Sequence, residues 1–169
     1  MRIEKEKHFF TQRKSFFIKG HLNIEADYFI KSIDKGIEKE NNKSYQTNIK
    51  GKMTSWNYFV QDPVFYNTMI PVLNLIDNLP VKKLTLAEAW GFITKYGENT
   101  NYHDHASSFL SVAIYLNEHT QSLKFKSIDE EVKCFPGSFA LFSSHLEHGT
   151  ERNKTKVDKY GLSANLYLA

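Results

Sequence analysis

A single cysteine, Cys134, excludes an internal disulfide framework and, with no second thiol, a zinc–thiolate site, so it reads as an ordinary strand residue. The sequence also lacks any uninterrupted apolar run near the roughly 20 residues needed to cross a bilayer. Its first residues, MRIEKEKHFF, contain no apolar signal-peptide core. These absences predict a cytoplasmic protein with no membrane partner. Charge of one sign is scarce too: 22 Lys and Arg against 19 Asp and Glu leave a net charge of +3, which does not indicate nucleic acid but permits an anionic small molecule. Only four prolines and eight glycines punctuate the chain, with no repeat, low-complexity tract or linker. At 169 residues and 41% hydrophobic content, one domain over 1–169 is expected.

Within that domain the first 80 residues form a support region. HFFTQRKSFFIKG is aromatic and roughly alternating, as a strand is. Ile24 to Ile37 places apolar residues at helical spacing, predicting a helix over about 25–39. The polar stretch 41–55 has no period and reads as a long loop or hairpin, either a substrate lid or a solvated connection. Val64 to Leu79 has a second helical pattern that starts near Pro71 or kinks there. From residue 81 the pattern becomes short β-like runs: LTLAEAWGFITKY, SFLSVAIYLN, SLKFKS, EVKCF, SFALF and YGLSANLYLA. Gly, Pro, Asn and charged residues separate them, which predicts an α+β chain whose 81–169 half is a compact antiparallel jelly roll, a double-stranded β-helix, with the helices packed on its sheet.

Seven histidines are present, and two of them stand one residue apart in NYHDH. Side chains at i and i+2 of extended backbone share a side, so His103 and His105 can converge on one metal. His148, 45 residues after His103 beyond PGSFALF, can be carried to the same point by a strand lying beside the one after His105. Three imidazoles on one face suit iron or a similar borderline metal with positions left open. Asp104 is either an alternative ligand, if a turn brings it round, or an acceptor that orients a ligand imidazole. His145, three residues from His148, points elsewhere by parity, and His8, His21 and His119 are expected to be irrelevant.

The segments N-x-H-x-H with SFLSVAIYL, PGSFALFSSHLEHGTERN and GLSANLYL resemble the 2-oxoglutarate- and iron(II)-dependent oxygenase superfamily, most closely a small bacterial and phage branch. The likeness covers about residues 88–168. It implies an iron(II) site on His103, His105 and His148, 2-oxoglutarate as cosubstrate, dioxygen as oxidant, and hydroxylation of a small-molecule or peptide substrate. The superfamily holds the far carboxylate of 2-oxoglutarate with a cation on a late strand. The branch's arginine falls at Gly161, so Lys159, of the same parity, takes that role, with Ser163 along the same face and Arg152 or Lys156 as alternative cations. Tyr115 and Asn101 are candidate donors to the cosubstrate, Asn165 closes the strand, and Trp56, Tyr58, Phe59, Trp90 and Phe92 are either core or substrate pocket.

Two other readings stay open. Gly97, five residues and His103-x-His105 fit the opening of a cupin motif, although Phe109 and Leu110 stand where its glutamate belongs. A non-catalytic jelly-roll binding module with structural histidines is the other.

Overall fold

The computed structural model describes residues 1–10, 14–39, 47–76, 83–105 and 107–169. Among these residues, nine strands and two α-helices follow in the order β1 (Arg2–Phe10), β2 (Lys14–His21), α1 (Ala26–Lys39), β3 (Lys52–Met53), α2 (Pro63–Leu73), β4 (Leu84–Thr94), β5 (Leu110–Tyr115), β6 (His119–Phe125), β7 (Glu130–Cys134), β8 (Ser138–Ser143) and β9 (Lys159–Leu168). Seven strands make one sheet in the order β1-β2-β8-β5-β9-β4-β3, and β6 pairs with β7 in a second layer. The pairings are antiparallel. This is the α+β jelly roll that the segment lengths predict. The helix expected over 25–39 is α1.

The large sheet is covered on both faces, which explains why β5 and β8 are apolar with little alternation. On one face Leu110, Val112 and Ile114 of β5, with Leu162, Ala164 and Leu166 of β9, meet Phe29 and Ile33 of α1 and Phe65, Met69 and Val72 of α2. The residues between them point the other way, where Ala113 and Tyr115 join Trp90, Phe92, Phe142, Leu123 and Phe125 in a second core beneath β6 and β7. Parity along each strand therefore separates a helix face from a site face.

Two sequence expectations change. The aromatic N-terminal run forms two strands of a hairpin, and β2 pairs with β8, so the support region supplies part of the jelly roll's own sheet. The second helix does not wait for Pro71. It begins at Pro63, behind Asp62, whose carboxylate accepts the Phe65 N–H at 2.9 Å, and Pro71 falls in its last turn. Of the 41–55 stretch, residues 41–46 lie outside the described residues. The remainder, read as loop or hairpin, is tied to the sheet: Ile49 bridges Thr100, and β3 pairs with Phe92 and Ile93 of β4.

Bridges of Lys124 to Gly149 and of His148 to His103 carry the second layer past β6 toward Ile49. Gly149 is needed for that approach, because a Cβ there would stand 2.9 Å from Cγ of Tyr102 and 3.0 Å from the Thr100 carbonyl oxygen. None of the helices among the described residues is long and apolar enough to cross a membrane.

Candidate metal centre

The 45-residue separation of His103 and His148 is closed by one β-bridge. Each donates its backbone N–H to the other's carbonyl, at 3.0 and 2.9 Å, so the two are directly opposed and their side chains leave on the same face. His105 follows by parity, its backbone N–H bonded to the Ser144 carbonyl at 2.8 Å. The ring centres lie 4.7 Å (His103 to His105), 4.5 Å (His103 to His148) and 5.2 Å (His105 to His148) apart. Ligand nitrogens from all three fall within 4.8 Å of one another, and Nε2 of His103 and of His105 are 3.2 Å apart.

Two of the tautomers are fixed by carbonyls. Nδ1–H of His103 donates to the Asn101 oxygen at 2.7 Å, and Nδ1–H of His148 donates to that of Leu146 at 2.9 Å. Both Nε2 lone pairs are thereby left for a ligand. Phe142 packs edge-on to His148 at 4.7 Å and Phe125 stacks on it at 5.6 Å. Burial lowers the pKa of all three imidazoles. His105 falls to about 4 and His148 to about 3, with the neighbouring His103 as a further cause in each. Each is therefore neutral at pH 7, the form that coordinates a metal.

The cluster opens into a cavity between the layers. The large sheet contributes Trp90, Phe92, Ser111, Tyr115, Lys159, Ser163 and Asn165, and the opposite wall includes Ile49, Thr100, Leu123 and Thr150. Two wider depressions flank β6 and β7 on the outside and contain none of the triad. Lys159 is 1% exposed. Its Nζ donates to the Gln121 carbonyl at 2.8 Å and sits 4.5 Å from the centre of the Tyr115 ring, and no carboxylate pairs with it among the described residues. Burial pushes its pKa down, and the Cys134 sulfur beside it opposes that. The Cys134 thiol is itself raised to about 11 by burial and donates to the same Gln121 carbonyl at 3.1 Å, consistent with an unreactive strand residue.

Tyr115, Lys159, Ser163 and Asn165 thus share the cavity with the triad. Asn165 is engaged there, accepting from Ser111 Oγ at 2.8 Å and donating to Glu88 at 2.6 Å. The other candidates stand off it. Asn101 is exposed, with its side chain accepting from Asn99 at 3.1 Å, so its contribution to the site is the carbonyl on His103. Asp104 is exposed and outside the cluster: between two inward imidazoles, extended backbone turns it outward, and the carbonyls do the orienting expected of it. Arg152 and Lys156 are exposed and do not line the cavity.

His145 lies against Ser15 Oγ at 2.9 Å, away from the triad, and His119 ties the start of β6 to the Val157 carbonyl. Among the aromatic candidates, Phe59 and Tyr58 belong to the helix face, while Trp90 and Phe92 line the cavity and Trp56 packs on Trp90. Ser111 and the Gln121 carbonyl were not anticipated. Ser111 had a signal, since it shares parity with Tyr115, whereas a main-chain acceptor leaves no mark in a sequence.

No family model matches the chain, and no curated protein matches it. Solved structures do. The viral collagen prolyl hydroxylase of Paramecium bursaria Chlorella virus-1, in complex with 2-oxoglutarate, superposes with a TM-score of 0.70 over 89% of this chain and 94% of its own, at 14% identity. HygX from Streptomyces hygroscopicus, with nickel and 2-oxoglutarate bound, gives 0.64 over 89% and 82%, at 12% identity. EctD from S. alaskensis with bound iron gives 0.63 over 89% and 72%, at 13% identity. The chain has the double-stranded β-helix fold of 2-oxoglutarate- and iron-dependent oxygenases.

Proposed function

We propose that the protein is an iron(II)- and 2-oxoglutarate-dependent oxygenase that hydroxylates a small-molecule or peptide substrate. The observation that carries this reading is the pairing, in one cavity, of three neutral imidazoles with a buried lysine that has no carboxylate partner among the described residues. A buried ammonium facing a carbonyl, a thiol and the Tyr115 ring is poorly compensated without an anion, and a dicarboxylate that reaches it supplies a counter-charge. Solved structures of the same fold that contain 2-oxoglutarate, nickel or iron support the choice of ligands.

The donor set fits the metal: neutral nitrogen ligands on one face suit iron(II) and leave other positions for oxygen ligands. Bound there, iron(II) supplies the oxidative chemistry by which 2-oxoglutarate, dioxygen and a C–H bond become succinate, carbon dioxide and an alcohol. The chain's own groups hold and orient. His103, His105 and His148 present Nε2, the Asn101 and Leu146 carbonyls keep two of those lone pairs inward, and Lys159 pairs with the far carboxylate. Tyr115 and Ser163, which line the cavity, would flank a bound diacid, and the walls of Phe92, Leu123 and Phe142 would exclude water, which strengthens the ionic contact.

Titrating 2-oxoglutarate into the anaerobic iron(II) protein is expected to raise a metal-to-ligand charge-transfer band, and aerobic turnover with ascorbate is expected to yield succinate. A protein that binds iron(II) but shows neither band nor succinate is not an oxygenase of this type, and the cupin or binding-module reading replaces it.

A further inference from the structure

Trp90 is 2% exposed, lines the cavity, and its indole Nε1–H meets no acceptor among the described residues. A buried donor left unmatched typically costs about 1–3 kcal/mol, which makes one that lines the cavity of a ligand cluster informative. The ring is fixed in place. Trp56 packs against it at 4.6 Å with the planes at 69°, and its backbone is held in β4 opposite Ser163 of β9, which faces the same cavity. Its centre is 6.2 Å from that of His105, farther than any ring separation within the triad. Phenylalanine would fill much of the same apolar wall without a polar atom. Relative to phenylalanine the indole adds a donor, beside an imidazole of the ligand cluster.

We propose that Trp90 Nε1–H donates a hydrogen bond to the oxygen of 2-oxoglutarate held at the metal next to His105, which makes Trp90 a residue that orients the cosubstrate at the end opposite Lys159. Lys159 reads the far carboxylate as a charge and Trp90 reads the near end as an acceptor, so a diacid is fixed at both ends. This rests on the oxygenase reading above.

The chain has two tryptophans, Trp56 and Trp90, so its ¹⁵N–¹H spectrum contains two indole resonances, assigned with Trp56→Phe. In the zinc-loaded protein, which holds the ligands without turnover, adding 2-oxoglutarate is expected to move the Trp90 indole proton downfield and leave that of Trp56 nearly in place. By calorimetry Trp90→Phe is expected to weaken 2-oxoglutarate about tenfold, the loss of one hydrogen bond, with zinc affinity unchanged. If 2-oxoglutarate binds the wild-type protein and the Trp90 resonance stays where it was, the assignment is overturned while the oxygenase reading stands. If 2-oxoglutarate does not bind at all, both fall together. The wild-type spectrum decides the matter even if Trp90→Phe folds poorly.

Discussion

Replacing Lys159 by methionine separates a ligand-binding lysine from a structural one, because the two roles predict opposite changes in stability. The methionine side chain keeps most of the length and apolar volume and removes the charge. In the folded protein the ammonium, 1% exposed, gains one carbonyl contact at 2.8 Å and the face of Tyr115 at 4.5 Å. A charge-assisted hydrogen bond contributes about 1.5–3 kcal/mol and a cation–π contact up to about 2. Against them stands a desolvation cost of several kcal/mol for an ion without a counter-ion. The Gln121 carbonyl is not orphaned by the change, since the Cys134 thiol also donates to it at 3.1 Å.

The balance favours methionine. Lys159→Met is expected to stabilise the ligand-free protein by about 1–2 kcal/mol, within the range seen when buried charges are replaced by apolar groups. For a chain of this size that corresponds to a rise in Tm of about 2–8 °C. The same substitution is expected to weaken 2-oxoglutarate about 10- to 100-fold and leave metal affinity nearly intact. Urea unfolding of the metal-free protein and an anaerobic titration of the iron(II) form measure the two halves. A variant that is less stable and binds 2-oxoglutarate as before refutes the reasoning and makes Lys159 a packing residue.

His148→Ala leaves two imidazoles and is expected to abolish stoichiometric iron(II) binding, whereas His145→Ala, outside the triad, retains it in a metal titration. Gly149→Ala forces a methyl group to 2.9 Å from Tyr102 and pushes apart the two segments that carry His103 and His148. It is expected to cost about 1–3 kcal/mol in urea unfolding and to weaken metal binding along with stability. Asp62→Ala removes the cap of α2 on the other face of the sheet and the acceptor of the Tyr28 hydroxyl. It is expected to cost about 1 kcal/mol in the same assay with metal and 2-oxoglutarate affinities unchanged.

The legible parts of this sequence are those governed by local periodicity. Parity alone places His103 with His105, and Lys159 with Ser163 and Asn165, and the helical spacing of Phe29, Ile33 and Ile37 locates α1. What it could not disclose is non-local pairing. The bridge between His103 and His148 depends on where β8 lies in the sheet; the strand pattern and the 45-residue spacing allow the meeting without fixing its register. The pairing of Ile49 with Thr100 has no trace in the polar stretch 41–55, because a one-bridge contact needs no alternation. Asn101 was misread for a related reason: its side chain is dispensable to the geometry, and the carbonyl that orients His103 belongs to every residue type. Asp104 was decided by the same parity that chose its neighbours.

The proposed role of Lys159 on β9 fits the way Gly161 and Phe92 pack on the same face. Residues 159, 161, 163 and 165 share a side, so moving a positive charge from the position of Gly161 to Lys159 shifts it two residues, about 7 Å, along one row. Such a move is tolerable only if something fills the space above Gly161, and something does. Phe92, paired with Gly161 across β4 and β9, lays its ring over the glycine, where an added Cβ would overlap its Cζ. An arginine at 161 and a phenylalanine at 92 therefore exclude one another. The wall between the triad and Lys159 is apolar because Phe92 occupies the row from which a guanidinium would otherwise extend. Gly161 is, in the folded chain, the seat for the Phe92 ring, and Lys159, two residues earlier on the same row, is the position from which the proposed contact to a diacid would be made.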